Sequence, residues 1–215
     1  MKTEDLGKIF EKSICLLYNI PYNSKFNYSI SKALLLSLRI AKLKNIFPYD
    51  LYHSAKNGNR YDFINYTHNI KLHAKTTKKQ AKICPQVIGQ PTKETFCKFF
   101  KIDQYQIKNY ITNNIHYLLD NYTYYTFDHP IIYYNEYKNL LLFVKLNKDI
   151  KWNNYKITFT HIINNKVWNE STTIKIDNTT IGSFQIHKNR NCIKFRWNFE
   201  KILHLFNDHF DITNL

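Results

Sequence analysis

The sequence predicts an α+β fold, a mixed β-sheet flanked by helices, on three observations. Apolar residues recur at helical spacing near the N-terminus, and the texture from Ile131 onward alternates as strands do. With 4 Gly and 5 Pro in 215 residues, no loose linker divides the chain. A chain of this length with 44% apolar residues buries one good core, so a single domain over residues 1–215 is expected. Within it, residues 1–125 form one half and the strand-rich residues 126–215 the other.

A helix is expected over residues 4–18, where Leu6, Ile9, Phe10, Ile14 and Leu17 share one side and acidic residues open the first turn. A second, over residues 31–44, turns Ala33, Leu34, Leu38 and Ala41 inward. Residues 48–60, with the Asn57-Gly58-Asn59 turn signal, read as a loop. Short strands follow at 61–66 and 70–76, joined by a turn near His68 and Asn69. Helical spacing returns at 93–100 and 104–119. Further strands are expected at 140–146, 156–163, 166–176, 183–187 and 192–197, with Asn164-Asn165 as a two-residue hairpin turn and a closing helix over 198–209.

Thirty-one Lys and Arg stand against sixteen Asp and Glu, a formal charge of +15. A field of that sign attracts polyanions, which leaves nucleic acid or an anionic membrane as partner. The longest apolar run, residues 140–144, is too short to span a bilayer, and the N-terminus is not signal-like. No membrane partner and a cytoplasmic location are therefore expected. The excess of Lys, Asn, Ile and Tyr is also what AT-rich codon usage produces, a plainer source for part of the charge. Cys15, Cys84, Cys97 and Cys192 are scattered with no C-x-x-C pair and read as reduced thiols, neither a disulfide framework nor a zinc site.

The segment most suited to chemistry is Gly58-Asn59-Arg60-Tyr61-Asp62-Phe63, followed by Lys71-Leu72-His73-Ala74-Lys75-Thr76. An Asp ending one strand and a Lys on the next, at one edge of a hairpin, can meet at a single phosphate. The carboxylate suits Mg²⁺, which polarises phosphoryl oxygens and acidifies a bound water; the ammonium stabilises charge or positions that water. Asp followed by Lys is common in any basic chain, so context decides its weight.

This pattern resembles the PD-(D/E)xK nuclease superfamily, the fold of most type II restriction endonucleases, over roughly residues 4–100. The resemblance implies a restriction-endonuclease-like fold, Mg²⁺ as cofactor, Asp62 as the metal-binding aspartate and Lys75 as the catalytic lysine. His73 stands where the acidic ligand is expected; imidazole binds metals but suits Mg²⁺ less well than carboxylate. That family often supplies a Glu from its first helix, and the stretch Leu6 to Glu11 looks like that helix, so Glu11 is expected to complete the metal site. Related nucleases of the RecB type carry a Gln after the Lys strand, a part open to Gln86 or Gln90, although the spacing departs from that motif. Plainer roles stay open: a solvated Glu11, a structural His73, and glutamines that cap a turn.

Residues 183–197 alternate apolar residues with donors, placing Lys194 and Arg196 on one strand face and Ile193, Phe195 and Trp197 on the other. With Gln185, His187, Lys188 and Arg190 they are expected to contact DNA, by base edges or by phosphate alone. A second basic patch, Thr76, Thr77, Lys78 and Lys79 with Arg60 upstream, suits backbone contact. The expected function is a Mg²⁺-dependent type II site-specific deoxyribonuclease. Residues 1–125 would catalyse and 126–215 read the target. It would act on double-stranded DNA as a homodimer, since one site per chain must cut both strands of a palindrome. A bacterial cytoplasmic setting and a cognate DNA methyltransferase as genetic partner follow from the same resemblance. The alternatives are a structure-selective nuclease, such as a junction resolvase or repair nuclease, and a non-catalytic basic nucleic-acid-binding protein.

Overall fold

Helix α1 (Thr3–Tyr18) forms because Leu6, Ile9, Phe10 and Ile14 make a stripe that is wholly buried, with Leu17 packed half-buried beside it. The computed structural model describes residues 3–24, 28–55 and 59–215, so the expected Asn57-Gly58 turn lies outside the described residues. Helices α2 (Ile30–Arg39) and α3 (Leu43–Ile46) replace the single helix expected over 31–44. Strands β1 (Tyr52–His53), β2 (Phe63–Asn65), β3 (Ile70–Thr77) and β4 (Lys82–Ile83) precede helices α4 (Lys93–Phe100), α5 (Ile107–Asn113) and α6 (Ile115–Phe127). There follow β5 (Ile131–Asn135), β6 (Leu140–Leu146), β7 (Ile157–Phe159), α7 (Thr160–Ile163), β8 (Ser171–Ile176), β9 (Thr179–Ile186), β10 (Ile193–Asn198), α8 (Phe199–Leu205) and β11 (Phe210–Asn214).

The α+β class is as expected, but the strands build two sheets where one was anticipated. One is mixed, in the order β1-β2-β3-β5-β6-β11, with β3 and β5 parallel and the other pairs antiparallel. The second, β4-β10-β9-β8-β7, is antiparallel throughout. The chain accordingly divides into two compact units. Met1–Ala81, His129–Asn147 and Phe210–Leu215 make one, while Lys82–Asp128 and Lys148–His209 make the other. These units interleave along the sequence and do not follow the expected halves, because β5, β6 and β11 hydrogen-bond into the sheet that carries β3.

In the first unit the core joins the α1 stripe, Ala33, Leu36 and Ile40 to Phe63, Leu72, Ile132, Tyr134, Leu141 and Phe143 of the sheet. The inward face expected of α2 is corrected: Ala33, Leu36 and Ser37 are buried, whereas Leu34 is 48% and Leu38 74% exposed, and Ala41 is exposed. In the second unit the apolar face of the sheet is covered by α6. Tyr122 stacks on Phe195 at 4.1 Å, and the Trp197 indole N–H donates to Thr126 Oγ1 at 2.9 Å. Burial alternates along β10, with Ile193, Phe195 and Trp197 inside and Lys194 and Arg196 half-exposed, as the period-two pattern required. The helix expected over 104–119 is broken at Asn114, whose ψ of 28° leaves the helical range and whose side chain bonds Tyr110 O. Past Phe159 the expected strand turns into α7, held by hydroxyl bonds from Thr160 and by His161 to Thr172 Oγ1 at 2.9 Å. Among the described residues no helix is long and apolar enough to cross a membrane.

Candidate active site

Asp62 sits just before β2, and the register Phe63↔Leu72 carries it opposite His73 on β3. Its backbone is anchored by Ser54, whose N–H donates to Asp62 O at 2.9 Å and whose hydroxyl donates to Tyr61 O at 2.8 Å. Its carboxylate is anchored too: Oδ2 accepts the backbone N–H of Ala74 at 2.8 Å. A half-buried carboxylate oxygen is thus fixed at the residue immediately preceding Lys75, itself half-buried. Thr76 points to α1, where a Cβ on Gly7 would lie 3.6 Å from its Oγ1; alternation along β3 therefore directs Lys75 to the other face.

Glu11 lies on α1 at 7% exposure and is fully engaged. Lys8 Nζ donates to both of its oxygens, at 2.9 and 2.8 Å, and Oε2 lies 3.1 Å from His53 Nε2. His53, on β1, is 4% exposed and accepts the Asn23 backbone N–H on Nδ1 at 3.0 Å. Its ring stacks on Tyr22 at 5.0 Å and tilts against Phe63 at 5.2 Å. Burial first, then the negative charge of Glu11, pushes the neighbouring Cys15 thiol up to about 12. The expectation had no place for Lys8 or His53, since a histidine in a presumed loop carries no spacing signal.

His73 is 0% exposed, with its ring 5.3 Å from that of Tyr61, which also carries Arg60 and Lys71 over its face at 5.3 and 4.6 Å. Thr77, expected at a DNA-facing edge, is instead a core position: on the same face of β3 as Lys75, it is 2% exposed and shares a 2.6 Å hydrogen bond with Tyr133 Oη. Lys78 is half-exposed and Lys79 exposed.

The remaining expected residues belong to the second unit. Gln86 donates its backbone N–H to Tyr125 O at 3.0 Å and Gln90 is exposed. Between them Gly89 is required sterically, since a Cβ there would come within 2.3 Å of Pro85 O. Gln185 accepts a hydrogen bond from Arg196 Nη2. His187 lies 3.2 Å from Glu170 Oε2, and the Lys188 N–H donates to Glu170 Oε1 at 3.0 Å. Those bonds, the Lys188 amide foremost, hold the Glu170 carboxyl below the usual carboxylate range. Arg190 is exposed.

Among the described residues there is no group of three or more His, Cys, Asp or Glu able to hold a metal ion. Mg²⁺ does not need one, since it is commonly held by one or two carboxylates together with phosphate oxygens and water. By donor chemistry Asp62 fits that requirement. Glu11, expected to complete the site, is not brought to it: it stands on the α1 side of β3 with Lys8 and His53, and Lys75 points to the other side.

Fold and residues describe a class, an α+β chain with a buttressed carboxylate beside a lysine-bearing strand. Over 219 aligned residues the chain is 48% identical to the type II restriction enzyme CviAII of Paramecium bursaria Chlorella virus 1. The alignment takes in 99% of this chain and 63% of that relative, so the chain spans less than two thirds of the relative's length. No family model and no solved structure matches the chain.

Proposed function

We propose that this chain is a Mg²⁺-dependent, sequence-specific endonuclease of the type II restriction kind, acting on double-stranded DNA with a site of the PD-(D/E)xK type. The observation that carries the reading is the bond from the Ala74 amide to Asp62, which fixes a carboxylate beside the strand position of Lys75. Likeness to a restriction enzyme over nearly the whole chain supports it.

Asp62 is the residue that would hold Mg²⁺; Glu11, on α1 and engaged by Lys8 and His53, lies on the other side of β3 from Lys75 and is left to that buried pair. The chemistry Mg²⁺ supplies when bound is polarisation of phosphoryl oxygens and a lowered pKa for coordinated water. Lys75 contributes a positive charge where negative charge develops on the phosphate. His73, buried against Tyr61, sets the local packing of β3 and leaves the ligand role to carboxylates. One site per chain implies a homodimer for a double-strand cut. Helix α2 supports this, presenting Ile30, Leu34, Leu35 and Leu38 to solvent at 51, 48, 64 and 74% exposure.

Incubating the protein with plasmid and phage DNA, with Mg²⁺ or with chelator, tests the reading. Discrete fragments that need Mg²⁺ are expected, and Asp62→Ala or Lys75→Ala should each lower the rate by roughly a hundredfold or more while DNA binding persists. Full cleavage by either variant removes that residue from the mechanism. Preference for branched substrates would point to a junction nuclease, and binding without any cutting to a basic binder.

A further inference from the structure

In the second unit, strand register places Thr173, Ser183 and Arg196 in one row across β8, β9 and β10, and Ser171, Gln185 and Lys194 in the next. Residues directly paired across strands share a face, so these side chains line one polar face while Phe184, Phe195 and Trp197 line the apolar one. Lys82 on β4, adjacent to Asn198, extends the polar face. The face opens into a groove of about 560 Å³ in which Ser183 and Gln185 are joined by Lys82 and Lys166. The carboxylate in its lining, Glu170, is already bonded by His187 and Lys188. No Phe, Tyr or Trp lines the groove, so it offers hydrogen bonds and positive charge, not stacking.

On this face two buried donors have no partner among the described residues, the Ser183 hydroxyl, in the groove lining, and Arg196 Nε, on the neighbouring strand beside it; Ser183 is only 7% exposed. A buried donor left without an acceptor is unfavourable, and in a polar groove it points to an acceptor brought by a ligand. The bond from Arg196 Nη2 to Gln185 Oε1 fixes the guanidinium. A fixed guanidinium is the group suited to bidentate contact with guanine O6 and N7. The net charge of +15 matches a polyanionic occupant.

We infer that this face reads duplex DNA: Arg196, held by Gln185, meets the acceptor edge of a guanine, while Lys82 and Lys166 meet flanking phosphates. The inference rests on the chain being a DNA-cutting enzyme and assigns its reading surface. The test incubates the full chain, with Ca²⁺ in place of Mg²⁺, with a pool of randomised DNA duplexes and sequences what is bound. The wild type should enrich one motif. Arg196→Lys and Gln185→Leu should lose discrimination at one G·C pair by roughly five- to a hundredfold and keep the remainder. Lys82→Ala with Lys166→Ala, at exposed positions, should keep the motif but lower the salt exponent of binding by roughly two.

No enriched motif, or an unchanged motif in both sheet variants, overturns the inference, as does equal binding of RNA duplexes. Should the sheet variants fail to fold, unchanged affinity and salt exponent in the exposed double-lysine variant overturns it. A wild type that enriches a motif but leaves DNA uncut with Mg²⁺ defeats the nuclease reading alone. One that cuts while the variants keep its motif defeats this inference alone.

Discussion

At His53 both ring nitrogens are committed. Nδ1 accepts the Asn23 amide, so the ring proton sits on Nε2 and is donated to Glu11 Oε2. A neutral imidazole therefore satisfies a backbone donor and a buried carboxylate at once. His53→Leu removes both bonds, and the orphaned amide and under-bonded carboxylate should cost roughly 2–4 kcal/mol in urea denaturation. His53→Gln can place an amide donor and acceptor in similar positions and should cost about 1 kcal/mol. Equal midpoints for wild type and the leucine variant would show the pair to be idle. That Asp62 falls beside the strand carrying Lys75 was legible, because one lies just ahead of β2 and the other on the adjoining β3. The Glu11–His53 pair was not, since 42 residues separate them and only the tertiary fold brings β1 to α1.

At the scale of elements, periodicity located α1, α4 and the alternating faces of β10 well, because each buries one face against a single partner layer, and the apolar run Leu140 to Val144 located β6, which is buried on both faces. It misplaced the faces of α2. Leu34 and Leu38 follow helical spacing, yet they form an exposed stripe with Ile30 while Ala33 and Leu36 pack inward. A sequence shows that a stripe exists but not which side of the helix the core occupies. Strand β11 was hidden for a related reason: it pairs with β6 through Phe210↔Leu146, and its neighbours in sequence are helical. If the α2 stripe is the seam between two copies, replacing Leu34 and Leu38 together with Glu should convert a dimer to a monomer in sedimentation. Stability within each chain should change little, because exposed positions tolerate such changes to within about 0.5 kcal/mol. The same variant should nick DNA rather than cut both strands. A wild type that sediments as a monomer at micromolar concentration, or a variant that stays dimeric, moves the contact elsewhere.

At the scale of the whole molecule, neither compact unit is a continuous stretch of chain, and the expected division at residue 125 failed because hydrogen bonding, not sequence distance, gathers β3, β5, β6 and β11 into one sheet. The charge, by contrast, was legible from composition alone, yet composition leaves two origins for it: selection for a polyanion, or codon usage that scatters lysines without regard to binding. Salt dependence separates them. A duplex held through roughly six to ten phosphates releases its counterions on binding, so affinity should fall by about 10³ to 10⁵ between 50 and 200 mM salt. Lysines scattered without function would neutralise only one or two phosphates at a time and give an exponent near −1 to −2. Fluorescence anisotropy of a labelled duplex with Ca²⁺ present measures the exponent directly. A steep value ties the net charge of +15 to DNA, and a shallow one assigns most of it to codon usage, whatever the fate of Asp62 and Lys75.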